Sequence, residues 1–164
     1  MSLRERLHTD LSAAMRSGET LRRDTLRLAE NAIYNAEKRD RRAYSDDELV
    51  AIMVKEVKTR RESIEAFEKG RRPDLAAKEA AEIAILQEFL PAPLADDELS
   101  ALVREAIDAT GATSARDLGK VMGWLAPRTR GRADGRRVSE LVARALASAD
   151  LAGHDDRHTP ARAG

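Results

Sequence analysis

Six cations and one carboxylate fall within residues 119–138, which read GKVMGWLAPRTRGRADGRRV. The cations are Lys120, Arg128, Arg130, Arg132, Arg136 and Arg137, and the carboxylate is Asp134. An arginine fork donates two parallel hydrogen bonds and so suits phosphate oxygens. Gly131 and Gly135 lie among these arginines, and glycine lets backbone amides come close to a ligand. Asp134 is placed to cap a helix that starts beside it, whose first amides add positive potential. The stretch has the make-up of a polyanion contact. It equally has the make-up of a solvated basic turn between two helices, and the residues alone leave both readings open.

Other chemistries find less support. Lys120 follows Gly119, but a phosphate-binding P-loop needs Ser or Thr after its Lys and a strand before its glycines. Here Val121 follows and no strand pattern precedes. A dinucleotide fingerprint fails for lack of the same β-α-β setting. His154 and His158 bracket two aspartates, a spacing that could hold a metal on a helix, but their polar, glycine-flanked surroundings read as a solvated tail. His8 reads as a surface residue. The acidic runs Asp46-Asp47-Glu48 and Asp96-Asp97-Glu98 each open a helix, where negative charge complements the macrodipole. Cysteine is absent, which excludes disulfides, thiolate zinc sites and thiol nucleophiles. No catalytic, cofactor-binding or metal-binding constellation is recognised in the sequence. A secondary basic surface is expected at Lys58, Arg60 and Arg61 in VKTRRESIEAF, against the plainer reading of a charged helix face with intrahelical pairs.

The elements that must carry these residues are helical. Of 164 residues, 42% are hydrophobic and only 3% aromatic; Ala, Leu, Glu, Arg and Lys favour helix, whereas strands want β-branched and aromatic side chains. Basic and acidic residues number 29 each. The 119–138 stretch therefore carries +5 and the rest of the chain −5, a local basic patch on a mildly acidic body. Ser-x-x-Glu capping boxes at Ser2/Glu5 and Ser45/Glu48 start two helices. Apolar stripes at helical spacing run through Leu3, Leu7, Leu11, Ala14 and Met15; through Leu21, Leu28, Ala32 and Ile33, with Thr25 and Ala36 between and beyond; through Leu49, Ile52, Met53, Val57, Ile64 and Phe67; and through Leu75, Ile83, Leu86 and Leu90. Gly18 and Gly70 mark stops, and Pro73 suits a first helical turn.

Pro91-Ala92-Pro93 denies helix continuation and marks a domain boundary. Three shorter helices follow. The first spans about 96–109, the second runs from a cap at Ser114 to Pro127, and the third starts near Asp134. From Ser148 the periodicity fades. The expected architecture is all-α: a four-helix domain over 1–90, a three-helix domain over 94–147, and a disordered tail over 148–164. No apolar run is long enough to span a bilayer and the first ten residues are charged, so a cytoplasmic protein without membrane attachment is expected.

Three segments carry a family resemblance: MSLRERLHTDLSAAM, VKTRRESIEAFEKGRRPDLAAKEAAEIAILQEFLPAPL and GKVMGWLAPRTRGRADGRRV. With them the chain resembles the YqeY family over about residues 1–147, and its second half is similar to the tail domain of the GatB subunit of tRNA-dependent amidotransferases. The resemblance implies two helical domains. It also implies a tRNA contact through Lys120, Arg128, Arg130, Arg132, Arg136 and Arg137, with Gly131, Asp134 and Gly135 shaping it and Gly119 and Gly123 permitting close helix packing. The partners implied are tRNA and an amidotransferase or aminoacyl-tRNA pathway protein. By resemblance alone, such chains are associated with carbon–nitrogen ligases that use glutamine as amido donor. The amidase nucleophile set and the kinase-like ATP site of those enzymes have no counterpart pattern in this sequence, so enzymatic activity stays an open question. The leading reading is a tRNA-binding accessory factor, and the alternative is a helical protein-interaction module with no nucleic-acid or catalytic role.

Overall fold

The computed structural model describes the backbone of residues 1–155 and the side chains of residues 1–150. Among the described residues the regular structure is entirely helical. The chain forms two compact units, Met1–Pro91 and Ala92–Gly164.

The first unit holds α1 (Leu3–Ser17), α2 (Thr20–Asp40), α3 (Asp46–Lys69) and α4 (Pro73–Gln87). Both capping boxes form. Ser2 and Glu5 close the start of α1, and Ser45 and Glu48 that of α3, each satisfying two amides that the helix leaves free. Asp46 also accepts from the Leu3 amide at 3.1 Å, tying the start of α1 to α3. The core joins Leu3, Leu7 and Leu11 of α1, Leu26, Ala29 and Ile33 of α2, Leu49, Met53 and Val57 of α3, and Ile83 and Leu86 of α4. Phe89, just past α4, completes it.

Two expected stripes hold only in part: Met15 of α1 is exposed, and on α2 Thr25, Ile33 and Ala36 are buried as expected but the phase is shifted. Leu21 and Leu28 face solvent, and the buried face is Thr25, Leu26, Ala29, Ile33 and Ala36. Two stripes of similar spacing compete on this helix. The inward one carries small residues that let neighbouring helices approach, and the Thr25 hydroxyl is satisfied by the Leu21 carbonyl at 2.8 Å. The outer side of α2 is fixed by Arg22, which reaches Asp10 on α1 and lies 2.7 Å from Glu88.

Two helix ends are set by arginine rather than glycine. After α2, Arg41 adopts φ 55° and the Arg42 amide bonds back to Glu37. After α3, Arg71 adopts φ 55°, with the Arg71 amide on the Glu68 carbonyl and the Arg72 amide on the Phe67 carbonyl. This is the Schellman arrangement. Its left-handed residue is Arg71, one position after the glycine the sequence marks as the stop; Gly70 itself has φ −81°.

The second unit holds α5 (Asp96–Thr110), a 3-10 turn (Ala115–Asp117), α6 (Leu118–Thr129) and α7 (Gly135–Asp155). Each of the three helices packs against the other two. Leu99, Val103 and Ala106, Val121 and Leu125, and Val138, Val142 and Leu146 meet in one core.

Three sequence expectations shift here. Ser114 opens the 3-10 turn rather than α6 itself. The Asp117 carboxylate accepts from the Thr113 amide at 2.9 Å; that bond leads the causes that hold its pKa below the ordinary value. Pro127 does not end α6, which runs to Thr129. In the last turn the ring removes one backbone bond only. The Arg128 Nη1 donates to the Trp124 carbonyl at 2.6 Å, the Thr129 hydroxyl to Leu125 at 3.1 Å, and the Arg130 amide to Ala126 at 3.1 Å. Finally, α7 passes Ser148 and reaches Asp155, because its stripe is followed by Ala147 and Ala149, strong helix formers. Residues 156–164 of the expected tail, and the side chains of the His154–His158 group, lie outside the described residues. Among the described residues no helix is long and apolar enough to cross a membrane.

Candidate nucleic-acid interface

The basic stretch folds as the end of α6, a turn, and the start of α7. Gly131 takes φ 75° in that turn, a conformation that a Cβ makes costly. The Thr129 carbonyl accepts from both Arg132 and Ala133, at 2.9 and 3.0 Å. The turn is strapped to the segment that begins the unit by a reciprocal pair: the Leu94 amide donates to the Arg132 carbonyl at 2.8 Å, and Arg132 Nε donates to the Ala92 carbonyl at 2.9 Å. The backbone presenting these arginines is thereby fixed at several points.

Asp134 caps α7, accepting from the Arg136 amide at 3.1 Å. Its carboxylate thus has a structural role, next to a helix start whose dipole favours anions. A Cβ built on Gly135 would meet nothing within 4 Å, and Asp134, Gly135 and Arg136 are all exposed.

The six cations fall into different situations. Arg128 lies on the Trp124 ring, its guanidinium carbon 3.6 Å from the ring centre. Arg132 is half-buried and bonded to Ala92. Arg137 pairs with Asp96 of α5 at 2.5 Å. Arg130 and Arg136 are exposed and, among the described residues, have no side-chain hydrogen bond or ion pair. Lys120 is exposed as well, but sits in the first turn of α6, about 12 Å along the helix axis from Arg128. There it contributes to lowering the Asp117 pKa, after the backbone bonds of Thr113 and Ser114. The five arginines gather at the α6–α7 turn, and Lys120 belongs to the far end of the helix face that carries Trp124 and Arg128.

By sequence alone the six cations are alike and Trp124 has no assigned role. The signal for the Trp124–Arg128 pair was present as an i, i+4 spacing of aromatic and cation. Gly119 and Gly123 do not serve close helix packing, because a Cβ on either would meet nothing within 4 Å. Arg104 and Arg144, which no sequence motif marks, edge a shallow hollow of about 260 Å³ over Val103 and Leu141, between α5 and α7.

The secondary surface needs correction. Lys58 and Arg61 are exposed on α3, but Arg60 is buried. Its Nε donates to Glu82 of α4 and its Nη1 to Glu56, both at 2.9 Å, with a further bond to the Glu56 carbonyl at 3.1 Å. Burial works against its charge, yet the bonds to Glu56 and Glu82 outweigh it and hold the guanidinium pKa above its ordinary value. Arg60 is a core counter-ion and is removed from the candidate interface. His8 is exposed, 3.7 Å from Glu30. Among the described residues no group of three His, Asp or Glu side chains is arranged to hold a metal.

Residues 4–146 match the family described as Yqey-like protein. The chain is 33% identical over 141 residues to Altered inheritance of mitochondria protein 41, mitochondrial, of Pyrenophora tritici-repentis, covering 84% of this chain and 77% of that one. It is 36% identical over 105 residues to the protein of the same name from Kluyveromyces lactis, covering 63% of this chain and 53% of that one. The matched residues run from α1 into α7 and include the whole basic turn, and on that extent the chain belongs to the YqeY family.

Proposed function

We propose that this YqeY-family protein is a tRNA-binding accessory factor, related in its second unit to the tail of glutamine-dependent aminoacyl-tRNA amidotransferases, and that the α6–α7 turn is its RNA contact. The observation that carries the reading is the pair Arg130 and Arg136: exposed, without side-chain partners among the described residues, and beside the exposed start of α7. Arg132 and Arg137 hold the surrounding backbone and α5, so they support the surface and contribute charge without being free to reorient. A cytoplasmic site of action is part of the proposal. The fungal relatives bear a mitochondrial name, and tRNA occurs in both compartments. A protein of this kind works beside an amidotransferase or aminoacyl-tRNA pathway enzyme rather than as the ligase.

Binding of tRNA should be strong at low salt and fall as salt rises, because phosphate contacts release counterions. Arg130→Gln with Arg136→Gln should reduce the slope of log affinity against log salt by between about 1 and 2. Absence of tRNA binding at low salt, or an unchanged slope in the double variant, defeats the proposal.

A second reading is favoured by one observation in the first unit. Leu21 and Leu28, two turns apart on α2, are 37% and 51% exposed, an apolar edge suited to a protein partner. Recovery of a defined partner after nuclease treatment, lost in Leu21→Ser/Leu28→Ser, supports it; partner recovery that vanishes with the RNA counts against it.

A further inference from the structure

Lys120, Trp124 and Arg128 succeed one another at i, i+4 and i+8 and so line one face of α6. The guanidinium carbon of Arg128 sits 3.6 Å from the centre of the Trp124 ring. That distance requires a face-to-face arrangement, since an edge-on guanidinium would drive a nitrogen into the ring. The Nη1 bond to the Trp124 carbonyl, 2.6 Å, pins the same group from the side. Trp124 is half-buried and packs against the core of the unit, while Arg128 is exposed. The result is a flat cationic plate, backed by an aromatic ring, with its outer face open to solvent.

A solvated arginine used only for its charge would not need this preparation. A guanidinium plane held flat is what an unpaired base stacks on, and an arginine fixed in advance gives up little side-chain entropy when it does so. Lys120 lies about one turn from Trp124 and two turns from Arg128 along the same face, and Arg130 follows two residues after Arg128. Charges on both sides of the plate would take phosphates of the strand that carries the stacked base.

We infer that the Trp124–Arg128 stack is a platform for an unpaired base, so that this surface takes single-stranded RNA segments rather than the backbone of a duplex alone. The inference rests on the proposed RNA contact at the α6–α7 turn and adds to it the state of the RNA that fits.

The test compares two probes with the full chain: a short single-stranded RNA, on the order of ten nucleotides, and the same ribose-phosphate chain without bases. Both carry equal phosphate charge, so only stacking and base contacts separate them. Anisotropy of the labelled probe gives affinity, and emission of Trp124, the single tryptophan, reports the platform directly. The intact RNA should bind about tenfold more tightly than the abasic chain and should change Trp124 emission more. Arg128→Lys keeps the charge and loses the plane. It should weaken the intact RNA far more than the abasic chain, so that the preference for bases collapses to about twofold or less, with an unaltered circular dichroism spectrum to show that α6 is intact. Equal binding of the two probes by the native chain overturns the platform and leaves the phosphate contact standing. A full base preference in Arg128→Lys also overturns it. Failure of every RNA to bind at low salt removes both the platform and the reading beneath it.

Discussion

The arginines of the two units are used in opposite ways. In the first unit many are matched with carboxylates, among them Arg4 with Glu37, Arg22 with Asp10 and Glu88, Arg23 with Asp24, Arg39 with Asp40, Arg42 with Glu48, Arg60 with Glu56 and Glu82, and Arg72 with Asp74, while Arg16, Arg27, Arg41, Arg61 and Arg71 form no ion pair among the described residues. In the second unit, among the described residues, a single ion pair forms, between Arg137 and Asp96. Most pairs of the first unit are exposed, and such pairs each add roughly 0–1 kcal/mol. Their larger consequence is electrostatic: paired charges cancel at a distance, and unpaired ones project a field that gathers anions. The α6–α7 turn keeps its cations with Asp134 as the one carboxylate of the stretch, and that carboxylate is occupied with a backbone amide.

The sharpest way to break the comparison is at Arg60. It is the paired arginine that is buried, 6% exposed, and its partner Glu82 is 9% exposed. Removing one member leaves the other desolvated without a counter-charge. Arg60→Ala should lower the unfolding free energy by about 3 kcal/mol, measured by denaturant titration. Arg60→Met with Glu82→Leu should recover most of that loss, since an apolar pair of similar volume replaces a buried ion pair at little cost. RNA binding by the folded Arg60 variants should match the native chain. A loss of binding there would return Arg60 to the interface and undo the division between the units.

Backbone conformation gives effects of intermediate size and opposite sign. Gly131 in the second unit holds a left-handed conformation with glycine, so Gly131→Ala should cost about 1–2 kcal/mol. Arg41 and Arg71 in the first unit hold the same conformation with a side chain, φ 55° in both, and both are exposed. Arg41→Gly and Arg71→Gly should each raise stability by about 0.5–1 kcal/mol, the relief of strain being partly offset by the entropy of glycine in the unfolded chain. Thermal melts of the single variants check all three signs.

Much of the fold was legible because it rests on local signals. The capping boxes at Ser2 and Ser45, the stop at Gly18 and the proline pair before α5 are each decided within a few residues. What was not legible depended on distant partners. The buried face of α2 was chosen by the packing of α1, α3 and α4 around Ala29 and Thr25, which periodicity cannot see when Leu21 and Leu28 offer a second stripe. Arg60 looked like its neighbours Lys58 and Arg61 because its counter-ion, Glu82, lies on another helix. In the candidate site the six cations were readable by type, but their division into free, pinned and stacked groups required Ala92, Asp96 and Trp124 to be seen beside them.

The smallest expected effect is a difference in acid response. Glu48 of the first unit is held at a pKa of about 2, chiefly by its bond to Arg42 and then by the Ser45 amide. Glu37, held first by the Tyr44 amide, and Asp40, held first by Tyr44, are also lowered. A carboxylate whose folded pKa lies below its unfolded value stabilises the fold above the unfolded value, and that stability is lost as pH falls through the folded one. For Glu48 the window runs from about 4.5, its ordinary value, down to about 2. Glu48→Gln should therefore make denaturant stability flatter across that window, while near neutral pH it lowers stability slightly by loosening the start of α3. Because the group is exposed and screened, the same measurement in high salt should shrink the difference. In the second unit, among the described residues, the lowered carboxylate is Asp117, and its leading cause is the Thr113 amide rather than an arginine, so the change in acid response made by Asp117→Asn should be one that salt leaves largely unaltered. If salt erased both responses alike, Asp117 would be held by charge as Glu48 is, and the contrast between a charge-paired first unit and a second unit with cations to spare would weaken accordingly.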